Sequence, residues 1–121
     1  MEIEKVNLQE KFNLFSAYWS PKIVGELNGQ YVKIAKFMGD FIMHKHLNED
    51  ELFYVIQGEL FIELTDKTLH LKAGEFVIIP KGTDHKPYAP KEVSVMLFEP
   101  VSTLNTGEAK NHLTQPDLDR L

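Results

Sequence analysis

A chain of 121 residues, 43% hydrophobic and 26% charged, has the size and balance of one folded domain, able to bury roughly two-thirds of its extended-chain surface. The net charge of −5 argues against sequence-independent nucleic-acid binding, and no apolar run approaches the ~20 residues of a membrane helix. The acidic, polar start predicts no secretory signal, and the absence of cysteine removes disulfides and thiolate chemistry, in agreement with a cytoplasmic setting.

In chain order, the first expected element is a short helix. Asn7 followed by Glu10 predicts a cap, with Leu8, Phe12 and Phe15 on one side. Residues 22–27 and 31–38 are apolar runs joined by Asn28-Gly29, a hairpin signal. Strands are then expected at 41–46, 51–56, 60–65, 68–71, 75–79 and 93–98, with turns at Gln57-Gly58 and Asp66-Lys67. Short strands at this spacing predict an all-β sandwich or barrel. The tail from Ser102, with Asn105, Gly107 and Pro116, reads as loop ending in a helical turn around 117–121.

Within this pattern His44 and His46, two apart on an expected strand, share one face. Glu51 opens the next apolar run and shares inward parity with Phe53 and Val55. Asp50 has the opposite parity, and Glu49 belongs to the turn. His85 arrives separately, after a Pro80-Lys81-Gly82 turn. Three imidazoles and one carboxylate suit one divalent transition metal per chain, with Fe, Mn, Ni, Cu and Zn all admissible. His70 and His112 stand outside this pattern and are expected at the surface, and Gly58, Gly74, Pro80 and Gly82 are expected turn-formers. Leu52, Tyr54 and Ile56 form an outer apolar stripe that needs cover, from the N-terminal segment or from a partner.

The spacing of Gly39, His44, His46, Glu51 and Gly58, followed by Gly74, Pro80, Gly82 and His85, resembles the paired motifs of the cupin superfamily. Two positions depart from it. Gly39 is separated from His44 by four residues rather than five, and Ala89 stands where the family has Asn; neither is a family ligand position. Only residues 59–73 separate the motifs, which resembles small single-domain cupins of the mannose-6-phosphate-isomerase-like type. The resemblance implies a double-stranded β-helix barrel, or jelly-roll, with short helical or irregular termini. It makes 1–121 one domain with a motif core at 39–89, an N-terminal segment 1–30 that packs or dimerises, and a tail at 102–121. It implies His44, His46, Glu51 and His85 as metal ligands and a homodimer as the assembly.

Phe53, Tyr88 and Lys86 are the expected contacts of a small-molecule substrate. Arg120, at the chain's end, is the single arginine. Bidentate capture of carboxylate or phosphate uses a guanidinium fork, so anionic substrates lose weight against neutral or chelating ones. Three readings stay open: a metal-dependent enzyme of dioxygenase, isomerase or lyase type, a non-catalytic metal- or ligand-sensing module, and a structural oligomer with a vestigial site. The intact ligand set argues against the last. The sequence shows no general base outside the ligand set, so it does not separate the first two.

Overall fold

The structure, a computed structural model, describes residues 2–109 and 112–121. Helix α1 (Leu8–Phe12) begins as expected, where the Asn7 side chain accepts the Glu10 amide at 3.0 Å and satisfies an orphan donor. A helix of 5 residues is not stable alone, so burial of Phe12 decides whether it forms.

Seven strands follow: β1 (Lys22–Leu27), β2 (Gln30–Asp40), β3 (Glu51–Gln57), β4 (Glu59–Glu63), β5 (Thr68–Lys72), β6 (Phe76–Ile79) and β7 (Lys86–Pro100). All pairings between them are antiparallel. The run β1-β2-β7-β3-β6 is joined at β7 by β4, which carries β5. This is the expected all-β jelly-roll arrangement. Asn28 and Gly29, at φ 49° and 76°, make the tight hairpin turn that their sequence predicts. Between β3 and β4, Gly58 has φ 92°, and a Cβ there would come within 2.8 Å of the Glu92 carbonyl oxygen.

Three expectations are corrected. Residues 41–46 form no strand; only His44 bridges, pairing with His85 through amide–carbonyl bonds of 3.0 and 2.8 Å. The ladder stops there because Pro87 has no N–H to give the Ile42 carbonyl, and the backbone bonds on either side leave the register, Phe41 N–H to Pro87 O at 3.0 Å and Gly82 N–H to His46 O at 2.8 Å. The last strand starts at Lys86 rather than residue 93. Pro87 and Pro90 conceal this in the sequence, yet Pro87 still pairs opposite Ile62, and its carbonyl accepts the Phe41 amide at 3.0 Å. Finally, residues 117–121 are not helical. They run beside β1, with Ile23 N–H to Asp119 O at 2.9 Å and Leu121 N–H to Ile23 O at 3.0 Å. Backbone groups at the sheet edge found partners there that a helical turn would have left unpaired.

The core lies on the inner face, where Phe37, Val55, Ile62, Val93 and Val95 pack together. Strand β3 alternates as the sequence predicts: Glu51, Phe53 and Val55 are buried, Leu52, Tyr54 and Ile56 half-buried. Ile56 shares a groove with Gln9, Phe12 and Asn13, so the N-terminal segment covers that end of the outer stripe. Leu52 and Tyr54 instead lie across from Ile78 and Phe76 of β6, which are 53% and 62% exposed. No helix among the described residues is long and apolar enough to cross a membrane.

The tail is a loop, as expected, whose described residues are held against the barrel as a strap. Asn105 holds it by donating to Leu113 O at 2.8 Å and accepting the Gln115 amide at 2.8 Å. Ser20 donates to the Gln115 side chain at 3.1 Å, and Thr103 and Thr106 are buried.

Candidate metal centre

Strand β3 delivers Glu51 at its first position, on the buried inner parity. The His44–His85 bridge delivers two imidazoles from facing segments, and His46 follows two residues later on the same side. All four side chains are buried, and their ligand atoms lie within 4.8 Å of one another. The structure therefore brings together the four expected ligands.

The hydrogen bonds around them orient the imidazoles. A carbonyl oxygen can only accept, so His44 Nδ1–H donates to Ile42 O and His85 Nδ1–H to Thr83 O, both at 2.9 Å. Each ring then presents the Nε2 lone pair to the centre, the tautomer that a metal requires. His85 Nε2 lies 3.2 Å and His46 Nε2 3.4 Å from the same oxygen of Glu51. Neither ring nitrogen of His46 has a hydrogen-bond partner among the described residues, although the ring is buried. A divalent cation supplies what this buried nitrogen lacks, and the donor set fits one.

Burial, followed by the neighbouring His85, pushes His44 down to about 4 from its ordinary 6.5. Burial alone would raise Glu51, but the facing nitrogens of His46 and His85 and the Glu99 carboxyl hold it well below the usual carboxylate value. Glu99 moves the other way: burial and the Glu51 charge push it well above that value, against the pull of Lys33.

The low value at His44 gives a pH prediction for the metal-free protein. Between about 6.5 and about 4 the unfolded chain binds a proton that folded His44 refuses. Stability is therefore fully present above 6.5 and lost as the pH falls toward 4, by roughly 3 kcal/mol at most. Glu51 acts only below its unfolded value of about 4.5, whereas Glu99, raised well above it, contributes stability that is lost as the pH rises and so opposes His44 in the same window. The urea midpoint of chelated protein at about pH 7, less that at about pH 5, should therefore be smaller in His44→Gln than in the wild type. The same difference in both proteins would refute the assignment.

A half-open cavity of about 30 Å³ adjoins the ligands, with His44, Glu51, Phe53, Glu99 and Asn105 in its wall. Trp19, Phe37 and Phe41 also line it, the indole stacked on the two phenyl rings at 4.2 and 4.8 Å. Phe53 thus stands where substrate contact was expected. Tyr88 and Lys86 do not. They have the opposite parity to Pro87, which lines the cavity; Tyr88 stacks outside on Phe61 at 5.2 Å, and Lys86 lies 3.8 Å from Asp40. Arg120 stays clear of the cavity, bonded to Glu26 at 3.1 Å. His70 and His112 are exposed, as expected.

Two buried charged groups escaped the sequence reading. Lys33, 1% exposed, points inward from β2 and donates to Glu99, 2% exposed, at 2.7 Å. Parity was the available signal: Lys33 aligns with Ala35 and Phe37, and Glu99 with Val95 and Leu97. Hence a cation does sit inside the barrel, but Glu99 already holds it.

Residues 32–101 match a family model described as a cupin domain. The uncharacterised Bacillus subtilis protein YdbB is 45% identical over 64 residues, 52% of this chain and 57% of that protein. The 3-hydroxyanthranilate 3,4-dioxygenase of Xenopus tropicalis is 26% identical over 101 residues, 78% of this chain but 36% of its own length. The match thus spans from about a third to just over half of the length of these curated relatives. Among solved structures, a cupin-2 domain protein from Shewanella frigidimarina superposes with a TM-score of 0.78 and 42% identity, over 78% of this chain and 93% of that one. Protein NMB1881 from Neisseria meningitidis gives 0.74 and 26%, over 80% and 99%.

Proposed function

The chain belongs to the cupin domain family, and from that membership we propose a metal-dependent enzyme that acts on a small neutral or chelating molecule. The observation that carries this reading is the buried His44, His46, Glu51 and His85 cluster, with Nε2 of His44 and His85 turned inward by their own hydrogen bonds. One divalent transition metal per chain, when bound, supplies Lewis acidity with coordination positions left for a ligand. The aromatic wall of Trp19, Phe37, Phe41 and Phe53 excludes water from that side. No unpaired cation lines the cavity among the described residues, which favours a neutral ligand over a free carboxylate or phosphate. The short spacing between the motifs supports the mannose-6-phosphate-isomerase-like type as a structural subtype, while the missing guanidinium speaks against its phosphorylated substrate. The similarity to a dioxygenase supports oxygenase chemistry as one of the open reaction types. A cytoplasmic setting rests on the absent cysteines.

A second reading is a non-catalytic sensing module, and the size of the cavity favours it. About 30 Å³ holds one or two water molecules, or the terminal group of a ligand, rather than a whole substrate. Mass spectrometry of any molecule that co-purifies separates the two readings, since an enzyme releases product and a sensor retains its ligand.

The test of the metal reading is elemental analysis of fresh protein, followed by melting with and without a strong chelator. A cation at a hundredfold excess over its dissociation constant adds about 2.7 kcal/mol, so chelation should lower the melting temperature by several degrees. Metal-loaded protein with an unchanged melting curve would sink it.

The assembly that goes with this reading is a two-fold dimer. Leu52 and Tyr54 lie beside exposed Phe76 and Ile78, and β6 pairs with β3 alone among the described strands. A second copy covers this face and its free edge isologously. Light scattering at micromolar concentration should give twice the chain mass; a monomer refutes it.

A further inference from the structure

Trp19 is held in a conformation that its residue type resists. Its φ of 58° lies in the left-handed region, which glycine and asparagine enter readily and a bulky side chain does not. Such backbone persists only where its surroundings over-determine it, and it gathers at binding sites. Here three contacts hold it. The Trp19 amide donates to Lys36 O at 2.9 Å, the indole Nε1–H donates to Met38 O at 3.0 Å, and the ring stacks on Phe37 and Phe41. A glycine would make the same turn without strain, so the position requires the indole and not the backbone. That indole lies in the wall of the metal-side cavity, together with His44 and Glu51. Protein interiors leave few voids, yet the aromatic packing stops short of these two ligands and leaves about 30 Å³ beside them. A side chain that served only the core would close that space.

We propose that Trp19 is a specificity-determining residue: its indole limits the group that a ligand on the metal places in the cavity to roughly the size of a methyl, and excludes a ring. The proposal rests on His44, His46, Glu51 and His85 holding that metal. About 30 Å³ admits a group of roughly one or two non-hydrogen atoms, whereas a phenyl group needs volume that the indole occupies. The supports of the strained backbone make this limit sharp. A methionine or leucine in the wall could change rotamer to admit a larger group. Trp19 is fixed by its amide, its Nε1–H and two stacked rings, and has no free rotamer to yield. The ligand class is therefore a small neutral chelator with a short aliphatic substituent.

Acetohydroxamic acid and benzohydroxamic acid test this, because they share one metal-binding head and differ by methyl against phenyl. Both are titrated by calorimetry into Zn²⁺-loaded wild type, Trp19→Gly and Trp19→Phe, after melting curves have shown each protein to be folded. Glycine accepts a φ of 58°, so Trp19→Gly removes the indole and the strain together. Trp19→Phe keeps more of the packing, and the shift is read there if the glycine variant does not fold. The wild type should bind acetohydroxamic acid at least about tenfold more tightly than benzohydroxamic acid. In Trp19→Gly the phenyl compound should gain about tenfold or more, which is what burying a phenyl group supplies, and Trp19→Phe should lie between. Trp19 is the chain's one tryptophan, so the indole emission of the wild type should change as acetohydroxamic acid binds, with the calorimetric midpoint. Equal affinity of the wild type for the two acids overturns the proposal, and so does binding of neither. Emission that stays constant through saturation, or an unchanged preference in the folded variants, overturns it too. These outcomes leave the metal reading intact. Wild type that does not retain Zn²⁺ overturns that reading, and this proposal with it.

Discussion

Glu51→Gln should leave a folded protein that no longer retains its metal. Glu51 is the only anion in the ligand set, and the amide that replaces it has the same shape without the charge. The expected loss of affinity is at least about 100-fold, the upper end of what is seen when a mere outer partner is removed. The metal-free fold should not suffer, because a buried carboxylate is costly to desolvate and the amide still reaches His85, now 3.2 Å from the Glu51 oxygen. The controls are its neighbours in the chain. Asp50 faces away and accepts the Lys81 amide at 2.9 Å, while Glu49 accepts the Ser102 hydroxyl at 2.9 Å. Asp50→Asn and Glu49→Gln should therefore keep their metal. Elemental analysis of the three variants decides it: equal content in all, or loss in Glu49→Gln alone, contradicts the assignment.

That choice among three consecutive acids was legible in the sequence because strand parity excludes Asp50 and the turn before β3 excludes Glu49. Once Phe53 and Val55 are known to face inward, Glu51 must, and the structure agrees on all three. The same rule would have exposed Lys33 and Glu99, whose parity matches core residues on β2 and β7. They were missed because a lysine and a glutamate are ordinarily surface residues, and only the 2.7 Å pairing across strands makes their burial tolerable. A partner 66 positions away cannot be read from local pattern. The segment 41–46 misled for a different reason. Its composition and its two histidines look like a strand, yet the facing segment carries Pro87, which has no N–H to continue the ladder, and pairing ends after one bridge. Tyr88 and Lys86 lie close to His85 in sequence. The strand that begins at Lys86, however, turns alternate residues away from the cavity.

The strap shows the same limit, and its tightest point supplies the second large effect. Gly107 sits with φ 58° directly on the chain that carries two of the ligands. A Cβ there would collide with the carbonyl oxygen of Lys45, lie 2.8 Å from its carbonyl carbon and come within 3.2 Å of His46 Nδ1. Neither neighbour can yield, since Lys45 O accepts the Glu108 amide at 3.1 Å and His46 is buried against the centre. Gly107→Ala therefore combines a left-handed backbone penalty of about 1–2 kcal/mol with an overlap that only movement of the strap relieves. The expected outcome is a strap lifted from the barrel, with Asn105 withdrawn from the cavity wall it shares with His44. Limited proteolysis should then cleave between residues 103 and 115 while the barrel resists. Zn²⁺ should exchange faster than in wild type, because the cover over His46 is gone. Gly29→Ala is the control: it has a similar positive φ of 76°, meets nothing within 4 Å, and lies in the β1–β2 hairpin turn rather than against a ligand. If Gly107→Ala matches Gly29→Ala in both protease resistance and metal exchange, the strap does not close the site.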